Sequence, residues 1–214
     1  MTRTALLAGS TGLIGTQLLQ QLLDEPRYSR VTALSRRALP VQHPRLEVVL
    51  SDLDDLSVHA DALQADDVYC ALGTTIAKAG SRKAFAHVDH DLVMAVARAA
   101  HHAGSRRFML VSAIGSSVKS PAFYSRVKGE VERDLRGVGF EALHILRPSL
   151  LMGERSESRP AEQIAQKLAP ALGLITRGRL ARYAPVSAQQ VAAAMIACAF
   201  SNQRGVHVHE APFG

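Results

Sequence analysis

The chain contains no tryptophan, two cysteines and 5% aromatic residues. Two cysteines cannot build a disulfide framework, and Cys70 and Cys198 lie inside the apolar runs "DVYCAL" and "MIACAF". Both read as reduced core thiols, neither a bridge nor a metal pair. The longest apolar run, "VAAAMIACAF", covers only 191–200, well short of the ~18–20 residues a membrane span needs. No secretory leader is visible, since the first apolar stretch is short and runs straight into glycines. A cytoplasmic location is therefore the default expectation. Long basic runs are missing too. The net charge of +6 comes from short groups, Arg36–Arg37, Arg106–Arg107 and "RGRLAR" at 177–182. That distribution argues against a nucleic-acid tail and suits a small anionic ligand such as a phosphorylated cofactor.

What is present fits one well-buried domain: 214 residues, 47% hydrophobic and 21% charged. Apolar runs of strand length alternate with helical patterns. The first run, "TALLA" (4–8), precedes "LIGTQLLQQLLDE", where Ile14, Leu18 and Leu22 recur at spacing four. Further strands are expected at 30–35, 45–50, 66–72, 106–113, 140–148 and 205–211. Helices are expected at 84–104, 121–139 and 187–201, with another helical stretch around "AEQIAQKLAPAL". Near-continuous apolar strands between helices predict an α/β fold, a doubly wound parallel sheet of Rossmann type covered on both faces. All of 1–214 is read as a single domain. The tidy alternation stops after Pro148, so 149–187 is expected to form a small C-terminal cap.

Between the first strand and the first helix stands "GSTGLIG" (9–15). A sharp strand-to-helix turn needs residues without a Cβ. Gly9 is expected to make the turn, Gly12 to admit a pyrophosphate close to the backbone, and Gly15 to let the helix pack on the strand. Free amides at the helix start, aided by the helix dipole, would face the phosphates. Position at the end of an N-terminal apolar strand makes this a dinucleotide site in preference to a bare turn. After the second strand an NAD site usually carries a carboxylate. Here Ser35, Arg36 and Arg37 stand there instead. Guanidiniums form paired charged hydrogen bonds to phosphate oxygens, so the cofactor expected is NADP(H).

Tyr124 and Lys128, in "YSRVKG", fall four apart on a predicted helix and share a face. A tyrosine in water has a pKa near ~10, and a fixed ammonium beside it favours the phenolate. The pair can then exchange a proton with a carbonyl or alcohol while the cofactor handles the hydride. Ser112, at the end of the fifth strand, is the leading candidate to hold the substrate oxygen.

Together "GSTGLIG", "YSRVK" and "LRPSLLMG" resemble the short-chain dehydrogenase/reductase superfamily in its extended or atypical branch. With "CALGTT", "VSAIG", "FYSRVKGEVERDL", "ILRPSLLMGERSESRP" and "YAPVSAQQVAAAM", the chain is most similar to the Tat-interacting-protein-like proteins and their bacterial relatives. The resemblance implies NADPH bound across the sheet's C-terminal edge. It implies that Thr11, Gly12, Leu13 and Ile14 line the pyrophosphate and that Arg36 and Arg37 meet the adenosine phosphate; Ser10 is expected among the cofactor-binding residues of the same loop. Asp52 and Leu53 match the adenine contact, and Leu72 and Gly73 the loop beneath the cofactor. Pro148 and Leu151 match the segment flanking the nicotinamide, and Arg159 an arginine reaching the cofactor side. Helices such as 84–104 and 121–137 pair between subunits in many relatives, which leaves a homodimer open. One departure concerns the strand end: the usual Ser-Ser is Ser112-Ala113 here, so the carbonyl-binding hydroxyl comes from Ser112, from Ser116 or from neither.

Other patterns weigh less. "HVDHD" places His87, His90 and Asp91 at helical spacings, but a metal needs a further convergent ligand and a solvent-facing helix flank explains them; no metal is expected. His207 and His209 read as a strand face. No G-x-S-x-G elbow surrounds Ser112, which excludes the hydrolase reading. The sequence therefore predicts an NADPH-dependent oxidoreductase acting on a small carbonyl or alcohol. Its rivals are a non-catalytic NADPH-binding regulatory or scaffold protein and a sugar-nucleotide epimerase, the latter short of C-terminal residues.

Overall fold

A computed structural model of the chain describes residues 2–149, 151–152 and 184–213. The expected cap falls mostly on 153–183 and, like Arg159 and the helical stretch near it, lies outside the described residues.

Strand β1 (Arg3–Ala8) turns through the glycine loop into α1 (Leu13–Asp24). Next come β2 (Tyr28–Ser35), β3 (Leu46–Leu50), a 3-10 turn (Ser57–Leu63) and β4 (Asp67–Cys70). Two short helices, α2 (Ile76–Ala79) and α3 (Arg82–Ala86), lead through a π-helical turn (His87–Asp91) into α4 (Leu92–His102). Strand β5 (Arg107–Val111), helix α5 (Phe123–Arg136) and strand β6 (Ala142–Arg147) follow. Two short strands, β7 (Leu151–Met152) and β8 (Val186–Ser187), pair with each other before α6 (Ala188–Ala199) and β9 (Gly205–Glu210).

The main sheet has seven strands in the order β3-β2-β1-β4-β5-β6-β9. Every pairing in it is parallel. Alternation along β1 explains why its sequence is apolar throughout. Ala5 and Leu7 point to the side packed by α1 and α6, whereas Leu6 and Ala8 point to the side packed by α4 and α5. Helix α1 buries Ile14, Leu18, Leu19, Leu22 and Leu23, the stripe its spacing predicts. Helix α6 starts on a capping box in which Gln190 N donates to Ser187 Oγ at 3.1 Å and Ser187 N to Gln190 Oε1 at 2.9 Å.

Order reverses at β1, since β2 and β3 lie on one side and β4 onward on the other. Ligands of such sheets bind at this switch point, outside the strands' C-terminal ends. The opposite edge is closed by a buried polar knot. Tyr28 Oη donates to Asp67 Oδ2 at 2.7 Å and lies 2.7 Å from Tyr69 Oη, while Arg3 pairs with the same carboxylate. Burial pushes the Asp67 carboxyl above its ordinary value, against the pull of Tyr28 and Arg3.

Candidate functional site

The glycine loop is built as its spacing requires at both ends. Gly9 adopts φ +92, and a Cβ there would lie 2.6 Å from the Ala71 carbonyl carbon after β4. A Cβ on Gly15 would lie 1.9 Å from the Gly9 oxygen, so α1 can approach β1 only because that position is bare. Gly12 differs: a Cβ there would meet nothing nearer than 3.4 Å. The fold does not demand glycine at position 12. Gly12 is also the N-cap of α1 and contributes no side-chain cap, which leaves the helix's first amides without one. Beside them Ser10 is 4% exposed, and its Oγ has no hydrogen-bond partner among the described residues. A buried, unpartnered hydroxyl next to uncapped amides is what a phosphate-binding loop offers in the protein alone. Thr11 and Gly12 are exposed, Leu13 is half-buried and Ile14 is buried.

After β2, Ser35 is buried, and its hydroxyl donates to the Arg37 carbonyl at 2.7 Å. That contact shapes the turn and leaves the Arg36 and Arg37 side chains exposed. After β3, Asp52 is exposed and accepts from Asp54 N at 3.1 Å. Leu53 is buried and takes φ +75, the left-handed region in which a leucine is strained. Its amide donates to Ser51 Oγ at 3.0 Å, which holds the turn.

Beyond β4 the loop carrying Leu72 and Gly73 meets α5. A Cβ on Gly73 would lie 3.5 Å from Asp89 Oδ1 and 3.7 Å from Lys128 Nζ. These two groups are 2.8 Å apart, with side chains 1% and 5% exposed. The other Asp89 oxygen accepts from Thr74 N at 2.9 Å. Burial alone would lower the Lys128 pKa, but the Asp89 carboxylate and the Tyr124 phenol outweigh it and hold the ammonium above its ordinary value. Lys128 is therefore charged at neutral pH. One turn earlier, Tyr124 is 38% exposed, and its ring packs 5.4 Å from that of Phe85.

Asp89 is a residue the sequence reading passed over. It sits in "HVDHD", where the helical spacing of His87, His90 and Asp91 gives it no part. Yet it falls four residues after Phe85 and four before Val93, both fully buried, and an acid on an apolar stripe signals a buried partner. The π-helical turn, a form frequent at functional sites, carries it into the interior. Its neighbours are tied to carboxylates: His87 to Asp54 at 3.2 Å, His90 to Asp134 at 2.9 Å.

Ser112 is brought to the end of β5 but faces inward. Its hydroxyl donates to Glu132 Oε1 at 2.5 Å and lies 3.1 Å from Ser116 Oγ. Ser116 in turn donates to the Ala113 carbonyl at 2.7 Å. Glu132 is buried and paired with Arg147 at 2.5 Å. The fold thus commits both hydroxyl hydrogens to protein acceptors. Glu132 lies one turn past Lys128 on the same buried face of α5, a position that its sequence spacing alone does not distinguish. Pro148 is buried at the end of β6, and its carbonyl accepts from Ile114 N at 3.0 Å; Leu151 is half-buried in β7.

A family described as NAD(P)H-binding matches residues 9–202. The mitochondrial protein fmp52 of Emericella nidulans is 39% identical over 178 residues, covering 79% of this chain and 76% of its own. Protein HTATIP2 of Rattus norvegicus is 36% identical over 169 residues, 77% of this chain and 69% of its own. The Bordetella bronchiseptica enzyme WbmH, solved in complex with NAD+, superimposes with a TM-score of 0.70 at 17% identity, over 98% of this chain and 76% of its own. At that identity the likeness is one of fold. Several relatives carry mitochondrial names, and this overturns the cytoplasmic location expected from the sequence. A targeting address is read by receptors, so the composition of a folded domain carries no trace of it. By the span of the family match and by these relatives, the chain belongs to the NAD(P)H-binding family, within the atypical short-chain dehydrogenase/reductase branch that holds the Tat-interacting-protein-like proteins.

Proposed function

We propose that the chain is an NADP(H)-dependent oxidoreductase acting on a small carbonyl or alcohol. The observation that carries this reading is the shielded Lys128–Asp89 pair beside Gly73, one turn from the exposed Tyr124. The loop amides and the Ser10 hydroxyl hold the pyrophosphate, and Gly12 leaves the approach open. Arg36 and Arg37 take the 2′-phosphate, and the turn at Asp52–Leu53 borders the adenine. Leu72 and Gly73 lie beneath the dinucleotide, with Pro148 and Leu151 beside its nicotinamide. When bound, the dinucleotide supplies or accepts the hydride. Tyr124 gives its proton to the substrate oxygen, or takes it from an alcohol. Lys128 bonds the ribose hydroxyls and favours the phenolate. Asp89 occupies part of the ammonium's donor capacity and fixes where the rest points.

Calorimetry of NADPH against NADH tests the cofactor choice. NADPH binds tighter in the native chain, and Arg36→Ala and Arg37→Ala erase the difference; equal native affinities refute the arginine assignment. Turnover is tested by NADPH consumption over a panel of carbonyls, where Tyr124→Phe lowers the rate by at least ~100-fold.

One observation favours a second reading, a binding protein with no turnover. Ala113 offers no hydroxyl, and the hydrogens of Ser112 and Ser116 are given to Glu132 and to a main-chain carbonyl. Tight NADPH binding with no consumption on any carbonyl decides for it.

A further inference from the structure

We propose that His144, Cys198 and His209 form a binding site for Zn2+ on the face of the sheet opposite α5. The three come from β6, α6 and β9, so no spacing in the sequence reveals them. In the parallel register His144 lies beside His207, and Leu146 beside His209. Alternation along β9 then sets His207 and His209 on the face that His144 and Leu146 share. That face packs against α6, which presents Cys198.

The ligand atoms converge. His144 Nδ1 is 3.0 Å from His209 Nε2, and Cys198 Sγ is 3.6 Å from the same nitrogen. All three lie within 4.8 Å of one another. Zinc bonds are ~2.0–2.1 Å to nitrogen and ~2.3 Å to sulfur, so a tetrahedral ion sets two nitrogens about 3.3 Å apart and a nitrogen and a sulfur about 3.5 Å apart. The two separations at His209 Nε2 lie within a few tenths of an ångström of these values; the His144 and His209 rings, which meet in line, tilt so that both lone pairs and the thiolate reach one ion. Two imidazoles and a thiolate form a borderline-soft donor set, which suits zinc and not magnesium or calcium. His144 is fully buried, and its ring centre lies 5.2 Å from that of His207 and 5.3 Å from that of His209, which it meets edge to edge.

The protein without metal leaves a debt at this place. The two facing imidazole nitrogens share one hydrogen, and His144 Nε2 is buried with no partner among the described residues. On binding, Cys198 releases its thiol proton to solvent. Both facing nitrogens bond the ion through lone pairs, and their ring hydrogens sit on the far nitrogens. The described residues supply three ligands, and water completes the shell, since Cys198 and His209 are only half-buried. Since β9 is hydrogen-bonded in the sheet only to β6 among the described strands, the ion would pin this strand to α6 as well.

The untagged full chain, stripped with a chelator and dialysed, is titrated with Co2+ as a spectroscopic probe and then with Zn2+. Binding saturates at one equivalent, with visible d–d bands of four-coordinate intensity and a thiolate-to-cobalt charge-transfer band. One equivalent of Zn2+ removes both. Cys198→Ser abolishes the charge-transfer band, and His209→Asn weakens Zn2+ binding more than about 100-fold, beyond the effect of an outer partner. Should either variant fail to fold, the native chain still decides: Zn2+ slows alkylation of Cys198 at least about 10-fold, read by peptide mass. A missing charge-transfer band, one that survives in Cys198→Ser, or Cys198 alkylation indifferent to Zn2+ overturns the site.

Discussion

Asp89 and Lys128 meet at 2.8 Å in a place where water reaches almost none of either side chain. Removing one partner of such a pair strands a buried charge, which costs about 3–5 kcal/mol. Asp89→Ala is expected to lower the unfolding free energy by that amount in urea titrations. The double variant Asp89→Leu/Lys128→Leu should recover most of it, because both desolvation penalties vanish together. A single variant within about 1 kcal/mol of the native chain would show that the pair is not closed to solvent.

Glycines 12 and 15 separate the needs of the fold from those of a ligand. Gly15→Ala sets a Cβ 1.9 Å from the Gly9 oxygen and is expected to unseat α1, lowering stability and dinucleotide affinity together. Gly12→Ala finds ordinary van der Waals room, so the cost to stability stays under about 1 kcal/mol. Its effect falls on affinity instead. Thermal melts with and without NADPH distinguish the two, and a Gly12→Ala chain binding as the native one does would sever the loop from the pyrophosphate.

Ser112 gives Glu132 a charged hydrogen bond inside the protein, and such bonds are worth ~1.5–3 kcal/mol. Ser112→Ala is expected to reduce stability on that scale by denaturant unfolding. Whatever turnover the native chain shows should persist in the variant within about ten-fold, below the usual range for loss of an acid-base group. Native stability joined to abolished turnover would return Ser112 to the substrate.

His90 links the π-helical turn to α5 through Asp134. Burial opposes its charge, but the carboxylates of Asp134 and Asp91 raise its pKa above 6.5. Asp134, hydrogen-bonded by Arg133 and His90, is lowered to about 2. The raised imidazole contributes stability that is full below its unfolded pKa and is lost as pH rises through the folded value. The lowered carboxylate contributes above its own unfolded pKa and loses that as pH falls toward 2. The melting difference between native chain and His90→Asn should therefore be widest between about pH 4 and 6 and shrink above neutrality. A half-exposed pair is worth at most ~1 kcal/mol, so the gap should not exceed ~2–4 °C. A gap that widens toward alkaline pH contradicts the assignment.

The parts legible in the sequence are those governed by short-range period. Ile14, Leu18 and Leu22 announce α1, and the unbroken apolar strands announce a sheet covered on both faces. Tyr124 and Lys128 fall on one helix by spacing alone. Asp89 was not legible, because an acid between histidines looks solvated until a π-helical turn swings it under Gly73. Glu132 carries no signal of its own in the sequence, because its partner Arg147 reaches it from β6. His144, Cys198 and His209 are distant in the chain and meet only through parallel register. The short α2 and the β7–β8 pair escaped because few residues carry too little pattern to read.

Strand β1 lies inside the sheet although it precedes the other described strands in the chain, and its second neighbour, β4, begins only at Asp67. While the chain emerges from a ribosome, one apolar flank of β1 waits open until those residues appear, and β6 waits likewise for Gly205 to Glu210. Slow closure of distant parallel partners leaves such flanks exposed to sticking. Truncations that end before residue 205 should accordingly precipitate or attract chaperones, even though the glycine loop and α5 are complete in them.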